Sequence, residues 1–348
     1  MLKNFWYACY HAAELGERPA KLRMLGHDFV LFRDRAGRAV CLDDRCPHRG
    51  ASLAGGWVAG GCVVCPYHGW RFDPAGACTS IPANRGDARI PRKANVRAYP
   101  TEERYGWIWV FVGDLPEAER PPIPPLPEYG DRRWRALHGS FLWNAHYTRV
   151  VENGMDIAHA PFVHARTFGN PERPQVDEYA IEHHPWGASA SVELVAPPPG
   201  GLWSLVLPRE RPPVKTRTGF YMPSVTRLDL DLGRMKMVIF NSNVPIDEEH
   251  TLTLWIMLRD FFKGAWADGN ARARTLQIFE EDQPIVESER PHAVPMDMSD
   301  EVHVKSDALP LVFRKLRREC LRERGWGLDW GAERTGGEAP DGAPGEAP

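Results

Sequence analysis

Cys46-Pro47-His48 and, after 16 intervening residues, Cys65-Pro66-Tyr67-His68 constrain this 348-residue chain more than any other feature. Each short segment offers one thiol and one imidazole. Zinc fingers usually group their ligands as a Cys pair and a His pair. One Cys and one His on each of two loops instead suits a two-iron cluster reached by both loops, with thiolates on one iron and imidazoles on the other. Neutral imidazoles in place of two thiolates make such a cluster less anionic and raise its reduction potential above that of all-cysteine clusters. Arg49-Gly50 and Gly69-Trp70 follow the two segments, and their glycines let backbone N–H groups approach the sulfurs. A zinc ribbon is the competing reading. Cys62-Val63-Val64-Cys65 as a redox C-x-x-C is weaker, because it falls within a strand and not at a helix start. Cys9, Cys41, Cys78 and Cys320 read as buried thiols.

The rest of the chain is consistent with a soluble, cytoplasmic two-domain protein. At about 150 residues per domain the length predicts two domains. Lys plus Arg number 43 and Asp plus Glu 46, a formal charge of −3 that argues against a nucleic-acid partner held by bulk positive charge. The longest apolar run, Trp107 to Val112, has six residues, far short of the ~18 needed to span a bilayer. The first twenty residues lack the apolar stretch of a secretory signal, and the seven cysteines are too irregularly spaced for an extracellular disulfide framework.

With 31 glycines and 32 prolines, turns and short strands should be plentiful, especially in the first third. Phe29 to Phe32 and Ala39 to Leu42 flank a turn at Asp34 to Arg38 and predict a hairpin. Tyr105 to Val112 predicts a further strand. Six prolines between Pro116 and Pro127 predict a stiff connector and place the domain boundary there. Beyond it, helices are expected from Asn144 to Ile157 and from Ala271 to Glu289, the second interrupted by Pro284. Strands are expected at Ala188–Val195, Leu202–Leu207, Gly219–Met222, Met235–Val244 and Thr251–Arg259. Residues 327–348, rich in Gly, Pro, Ala and Glu, are expected to be a disordered tail. This divides the chain into domains at 1–118 and 119–326, plus that tail.

A second group of chemistry-bearing residues runs from Glu152 to His164. Asp156 and His159 stand i, i+3 on one face of the expected helix. His159 and His164, five apart, would point ~140° away from each other on an unbroken helix. Pro161 between them should break the helix and let both imidazoles reach one ion. Ordinary helix-end histidines are the alternative on these residues alone.

CPHRG and CPYHGWRFD resemble the Rieske [2Fe–2S] motif of ring-hydroxylating oxygenases, and Asp156, His159 and His164 match the D-x-x-H-x4-H segment of the Rieske non-heme iron oxygenases. The resemblance runs from Asn4 to about Arg318. It implies an α+β architecture, with an N-terminal all-β Rieske domain followed by a helix-grip catalytic domain whose curved antiparallel sheet wraps a long helix. It implies Cys46, His48, Cys65 and His68 as cluster ligands, and His159 and His164 as ligands of a mononuclear Fe(II). The third iron ligand would be a carboxylate in Phe279 to Glu287, where Asp282 matches and Glu280 and Glu281 compete. Two histidines and a carboxylate leave open positions for dioxygen and substrate. The resemblance also implies a homotrimer in which Asp156 links His68 of the partner subunit to His159. Where some relatives have Asn four residues before that Asp, this chain has Glu152.

Two functions follow. The first is the terminal oxygenase component of a system in which NAD(P)H electrons arrive through a separate flavin reductase, a ferredoxin or both, and O2 is the co-substrate. The second is a Rieske electron carrier with a non-catalytic domain, which would need neither His159, His164 nor Asp282. No G-x-G-x-x-G fingerprint is present, so a reductase must be another protein. Trp186, Trp203, Leu205, Phe220, Met222, Met235, Met237, Phe240 and Trp255 predict an apolar cavity, and Arg209, Arg211 and Lys215 could neutralise a carboxylate. The expected reaction is hydroxylation at an sp3 C–H of a polycyclic or sterol-like molecule. O- or N-demethylation of a small methoxy or methylamino aromatic compound is the alternative.

Overall fold

The computed structural model describes residues 1–85, 88–195 and 213–330. The expected strand at 202–207, with Trp203, Leu205, Arg209 and Arg211, lies outside the described residues. The cluster-bearing half begins with β1 (Phe5–His11), β2 (Ala20–Met24), β3 (His27–Arg33) and β4 (Ala39–Asp43), the last two forming the expected hairpin. Short strands β5 (Trp57–Ala59), β6 (Cys62–Val64), β7 (Arg71–Phe72), β8 (Cys78–Ser80) and β9 (Ala98–Tyr99) follow. β10 (Thr101–Arg104) and β11 (Trp107–Val112) close this half. They build three antiparallel sheets, ordered β1-β11-β10, β2-β3-β4-β9 and β5-β6-β7-β8.

The second half carries β12 (Arg135–Trp143), α1 (Tyr147–Asn153), the one-turn α2 (Ala160–Val163), β13 (Ile181–His184) and β14 (Gly187–Leu194). β15 (Val214–Tyr221), β16 (Val225–Asp231), β17 (Lys236–Pro245), β18 (Thr251–Arg259), α3 (Asp268–Val286) and α4 (Ala308–Arg318) complete it. Its seven strands form one antiparallel sheet, β12-β18-β17-β16-β15-β14-β13.

The six-residue apolar run has a direct physical cause. A strand apolar at every position must be covered on both faces. Trp107, Trp109 and Phe111 pack with Trp6 of β1 against Val238, Phe240, Ile256 and Leu258 of the large sheet, whereas Ile108, Val110 and Val112 enter a second core. Trp107 stacks on Phe240 with ring centroids 5.9 Å apart. The small sheet is therefore a layer on the back of the large one, and the two halves share a core. The proline-rich connector joins that core too, through buried Ile123 and Leu126.

The opposite face of the large sheet carries α3. Leu137, Ile239, Met257 and Trp255 meet Phe279 and Val286 there. α3 continues through Pro284 to Val286, where the interrupted helix was expected to break. Pro284 is exposed in the last turn, so the carbonyl that its ring leaves unbonded can turn to water. α1 is shorter than expected, ending at Asn153.

Residues 327–330 of the expected disordered tail pack against the N-terminal half, and 331–348 lie outside the described residues. Gly327 bridges Leu2, and Trp330 stacks on His27 at 4.1 Å while donating its indole N–H to the Leu25 carbonyl at 2.8 Å. Two aromatic anchors, Trp326 against Phe5 and Trp330 against His27, outweigh the polar composition around them. Among the described residues no helix is long and apolar enough to cross a membrane. Trp330→Ala should lower stability by about 1–2 kcal/mol through the lost stacking and hydrogen bond, read as an earlier denaturation midpoint.

Candidate metal centres

The Cys46 and Cys65 loops are one turn built twice. In the first, Cys46 N donates to Ala51 O at 2.9 Å and Gly50 N to Cys46 O at 2.8 Å. In the second, Cys65 N donates to Trp70 O at 2.9 Å and Gly69 N to Cys65 O at 3.0 Å. Both turns close through a left-handed glycine, Gly50 at φ +75° and Gly69 at φ +71°, a conformation that side-chain-bearing residues resist. Each turn buries its cysteine and exposes its histidine. Cys46 and Cys65 lie in the apolar core of these sheets, and His48 and His68 reach the surface with ring centroids 4.5 Å apart. Trp70 stacks flat on His48 at 4.7 Å and 4°.

Burial first, and the adjoining Cys65 thiol after it, pushes the Cys46 thiol up to about 11. So buried, the Cys46 thiol becomes a thiolate only with a positive partner, which an iron pair provides. The donor set and its sidedness fit a cluster with an inner thiolate-bound iron and an outer imidazole-bound one.

His159 and His164 occupy the two ends of α2, as N-cap and C-cap residues. The expected break at Pro161 does not occur: Pro161 sits within the first turn of α2, where a missing N–H costs nothing. The chain leaves the helical path before His159, at Gly154 to Ile157, and again at His164, whose φ of −98° and ψ of 23° depart from the helix. Asp156 is thus in a turn and not on a helix face. Its Oδ1 accepts from Ala158 N at 2.9 Å, and its Oδ2 lies 3.2 Å from His159 Nδ1. Burial opposes its charge, but His159 and these amides outweigh burial and hold the carboxyl below its ordinary value.

The Nε2 atoms of His159 and His164 are 3.2 Å apart. Asp282 Oδ1 lies 3.6 Å from the first and 3.3 Å from the second, and it has no hydrogen-bond partner despite its burial. Each histidine has its other ring nitrogen on a carboxylate, His159 on Asp156 and His164 on Glu281 at 2.9 Å. Those nitrogens therefore carry the protons, and the two Nε2 lone pairs converge on a carboxylate oxygen. Three acceptors facing one another repel unless a cation lies between them. Adjacent ligands about 2.1 Å from a metal at right angles would be on the order of 3 Å apart, close to the spacing seen. Burial pulls the His164 imidazole down, but Asp282 and Glu281 outweigh it and leave it above its ordinary value, the mark of a site that attracts positive charge.

Of the competing carboxylates, Glu280 is exposed and Glu281 faces the back of His164. Glu152 is taken by Arg314, whose guanidinium reaches both its oxygens at 2.5 and 2.8 Å and also Glu301 at 2.6 Å. Sequence reasoning missed this ion-pair network, which joins residues 162 positions apart. It also missed Trp70 on His48, although the aromatic residue directly after Gly69 was available as a signal. Four residues expected to line an apolar cavity, Phe220, Met222, Phe240 and Trp255, are packed in closed cores.

A family model of the vanillate O-demethylase oxygenase C-terminal domain matches residues 143–323, and one of the Rieske [2Fe–2S] domain matches residues 5–100. The chain belongs to this family of Rieske-type oxygenases. It is an oxygenase of the type whose cofactors are a Rieske [2Fe–2S] cluster and a mononuclear non-heme iron, and in this family O2 is the co-substrate and NAD(P)H electrons typically arrive through partner proteins. The methylxanthine N1-demethylase NdmA of Pseudomonas putida is 28% identical over 333 residues, covering 91% of this chain and 89% of that one. The 4beta-methylsterol monooxygenase of Methylococcus capsulatus is 40% identical over 163 residues, but the match spans less than half of either protein, 46% of this chain and 44% of the other. The solved structure of NdmA from Pseudomonas putida CBB5 with caffeine aligns at a TM-score of 0.80 and 27% identity, covering 92% of both chains.

Two predictions follow from the geometry. A Cβ on Gly169 would lie 2.2 Å from Ala160 O and 2.9 Å from the His164 carbonyl carbon, so Gly169→Ala should shift His164 and weaken iron binding while leaving the cluster spectrum intact. Burial, with Glu152 and Glu301 adding to it against Arg149, pushes Glu289 from 4.5 up to about 7. The folded state then holds a proton that the unfolded state releases between those values, so ionising Glu289 costs stability as pH rises through that window. Glu289→Gln should raise the melting temperature at pH 8, by a margin that shrinks below pH 7 and vanishes below 4.5.

Proposed function

We propose that this chain is the terminal oxygenase of a system that oxidises a methyl group, with Cys46, His48, Cys65 and His68 binding the cluster in a domain at 1–118 and His159, His164 and Asp282 binding iron in a domain at 119–326. The convergence of three acceptors at 3.2–3.6 Å carries this reading over that of an electron carrier, which has no use for such a site. When bound, the iron, supplied with electrons by the cluster, provides the chemistry that puts one oxygen atom of O2 into a C–H bond and reduces the other to water. A hydroxylated N- or O-methyl group then falls off as formaldehyde, which is demethylation.

The protein's own residues divide the remaining work. His48 and His68 stand exposed, so electrons can pass through the outer face of the cluster domain. Asp156 fixes His159 through Nδ1 and keeps a side chain 30% exposed, able to accept a second imidazole N–H from outside the chain. We place His68 of the partner subunit there, in a homotrimer, with a ferredoxin, a flavin reductase or both as donors and the cytoplasm as the compartment. A carboxylate between two imidazoles fixes both tautomers and couples their protonation to electron transfer.

For the substrate, a compact methylated compound with polar edges is favoured. Likeness to the methylxanthine N1-demethylase extends over nearly the whole chain. On the sheet face toward α3, Asn241 lies between Thr226 and Trp255 in one cross-strand row and keeps a buried side-chain oxygen without a hydrogen-bond partner. An unpartnered polar atom there suits a heteroaromatic ring better than a hydrocarbon skeleton. A methylsterol is the second reading, favoured by the 40% identity over the shorter match.

Purified protein supplied with a reductase, a ferredoxin and NADH should release formaldehyde from N-methyl heteroaromatics in step with NADH consumption. His159→Ala, His164→Ala and Asp282→Ala should each lose iron and turnover but keep the cluster spectrum. Asp156→Asn should keep both metals and lose turnover by orders of magnitude, and subunit exchange with His48→Ala chains should restore part of it. Iron retained in His159→Ala would overturn the ligand assignment, and no recovery despite proven exchange would overturn the route between subunits.

A further inference from the structure

We propose that Glu281 is a positioning residue for the iron, fixing the tautomer and ring plane of His164 and strengthening the nitrogen that faces the metal. The inference rests on the reading of His159, His164 and Asp282 as the iron ligands. His164 Nδ1 lies 2.9 Å from Glu281 Oε2. Thr167 Oγ1 donates to the same oxygen at 3.0 Å and also lies 3.1 Å from the His164 carbonyl. Gln277 Nε2 donates to the other oxygen at 3.3 Å. Both carboxylate oxygens are thus engaged, and only 13% of the side chain is exposed, so Glu281 is not free to swing onto the metal.

Glu281 and Asp282 are consecutive on α3, and consecutive helical residues project about 100° apart. Asp282 approaches His164 at Nε2 and Glu281 approaches it at Nδ1, so one helix holds the imidazole at front and back. The two histidines are therefore oriented differently. His159 relies on Asp156, which belongs to its own loop and is partly exposed, whereas His164 relies on a carboxylate sunk between α3 and the loop after α2. An anionic acceptor at Nδ1–H drives electron density toward Nε2, and outer partners of this kind are typically worth about 10- to 100-fold in metal affinity.

The test uses the full-length, cluster-loaded protein with Co(II) as the probe metal in the mononuclear site. Glu281→Ala should weaken Co(II) binding by about 10- to 100-fold, and Glu281→Gln, which keeps an oxygen acceptor and the side-chain size but no charge, should fall between it and wild type. Proton NMR of the Co(II) form should show two exchangeable, strongly shifted imidazole N–H signals. Glu281→Ala should lose the His164 signal to solvent exchange and keep that of His159, with the cluster's EPR spectrum unchanged. A role confined to packing would leave both signals in place. Co(II) affinity within about twofold of wild type in Glu281→Ala, with both signals retained, would refute the proposal. Tight Co(II) binding by Asp282→Ala, with none by Glu281→Ala, would make Glu281 a ligand and refute it in another way. Wild-type affinity in His159→Ala would instead bring down the ligand assignment beneath it. Because Glu281→Gln changes no volume, the comparison survives if the alanine variant fails to fold.

Discussion

Three acceptor atoms that repel one another are held within 3.6 Å, and much of the second half of the chain serves to keep them there. Asp282 is placed by α3, which is pinned to the large sheet by Phe279 and Val286. His159 and His164 are placed by a single helical turn, whose far end is closed by the bond from Gly169 N to His164 O at 2.8 Å. Neither arrangement would persist alone. The free energy that holds like partial charges together comes from burying aromatic and aliphatic side chains elsewhere, and a cation returns it on binding.

The cluster half solves the opposite problem, since it must bury sulfur and expose nitrogen. Two identical turns do so with the same hydrogen-bond pair and the same left-handed glycine. The Cys46 thiol, buried in an apolar core, resists ionisation, so its ligand form depends on the iron; imidazoles at the surface stay within reach of another protein. That polarity agrees with a chain whose electrons arrive from outside. Because β1 and β11 share a core with the large sheet, the cluster half is packed directly against the iron-binding half and does not hang from the connector alone.

Short-range patterns carried most of what was legible. The Cys-His loops, the aromatic strand at 107–112 and the strand at Thr251–Arg259 are recognisable because each is decided by neighbours in the chain: turn glycines, β-branched residues and alternation. The D-x-x-H-x4-H segment was readable as a pattern, but its mechanism was not. Pro161 looked like the breaker, but a proline in a first turn is compatible with helix, and the chain instead leaves the helical path before His159 and at His164 itself. β12, β16 and α4 went unrecognised, their sequences being mixed in polarity and decided by pairing with distant strands.

By itself the sequence determined which atoms are available: two Cys-His turns, two histidines five apart, and a run of three acids on one helix. Only the tertiary structure decided among the acids. Glu280, Glu281 and Asp282 are equivalent as residue types, but a helix sends neighbours about 100° apart, so their roles depend on how α3 is rotated against the sheet. That rotation is set by Phe279 and Val286 seeking the core, a contact between residues more than a hundred positions apart in the chain. It turns Asp282 toward the two imidazoles, Glu281 behind His164 and Glu280 to solvent.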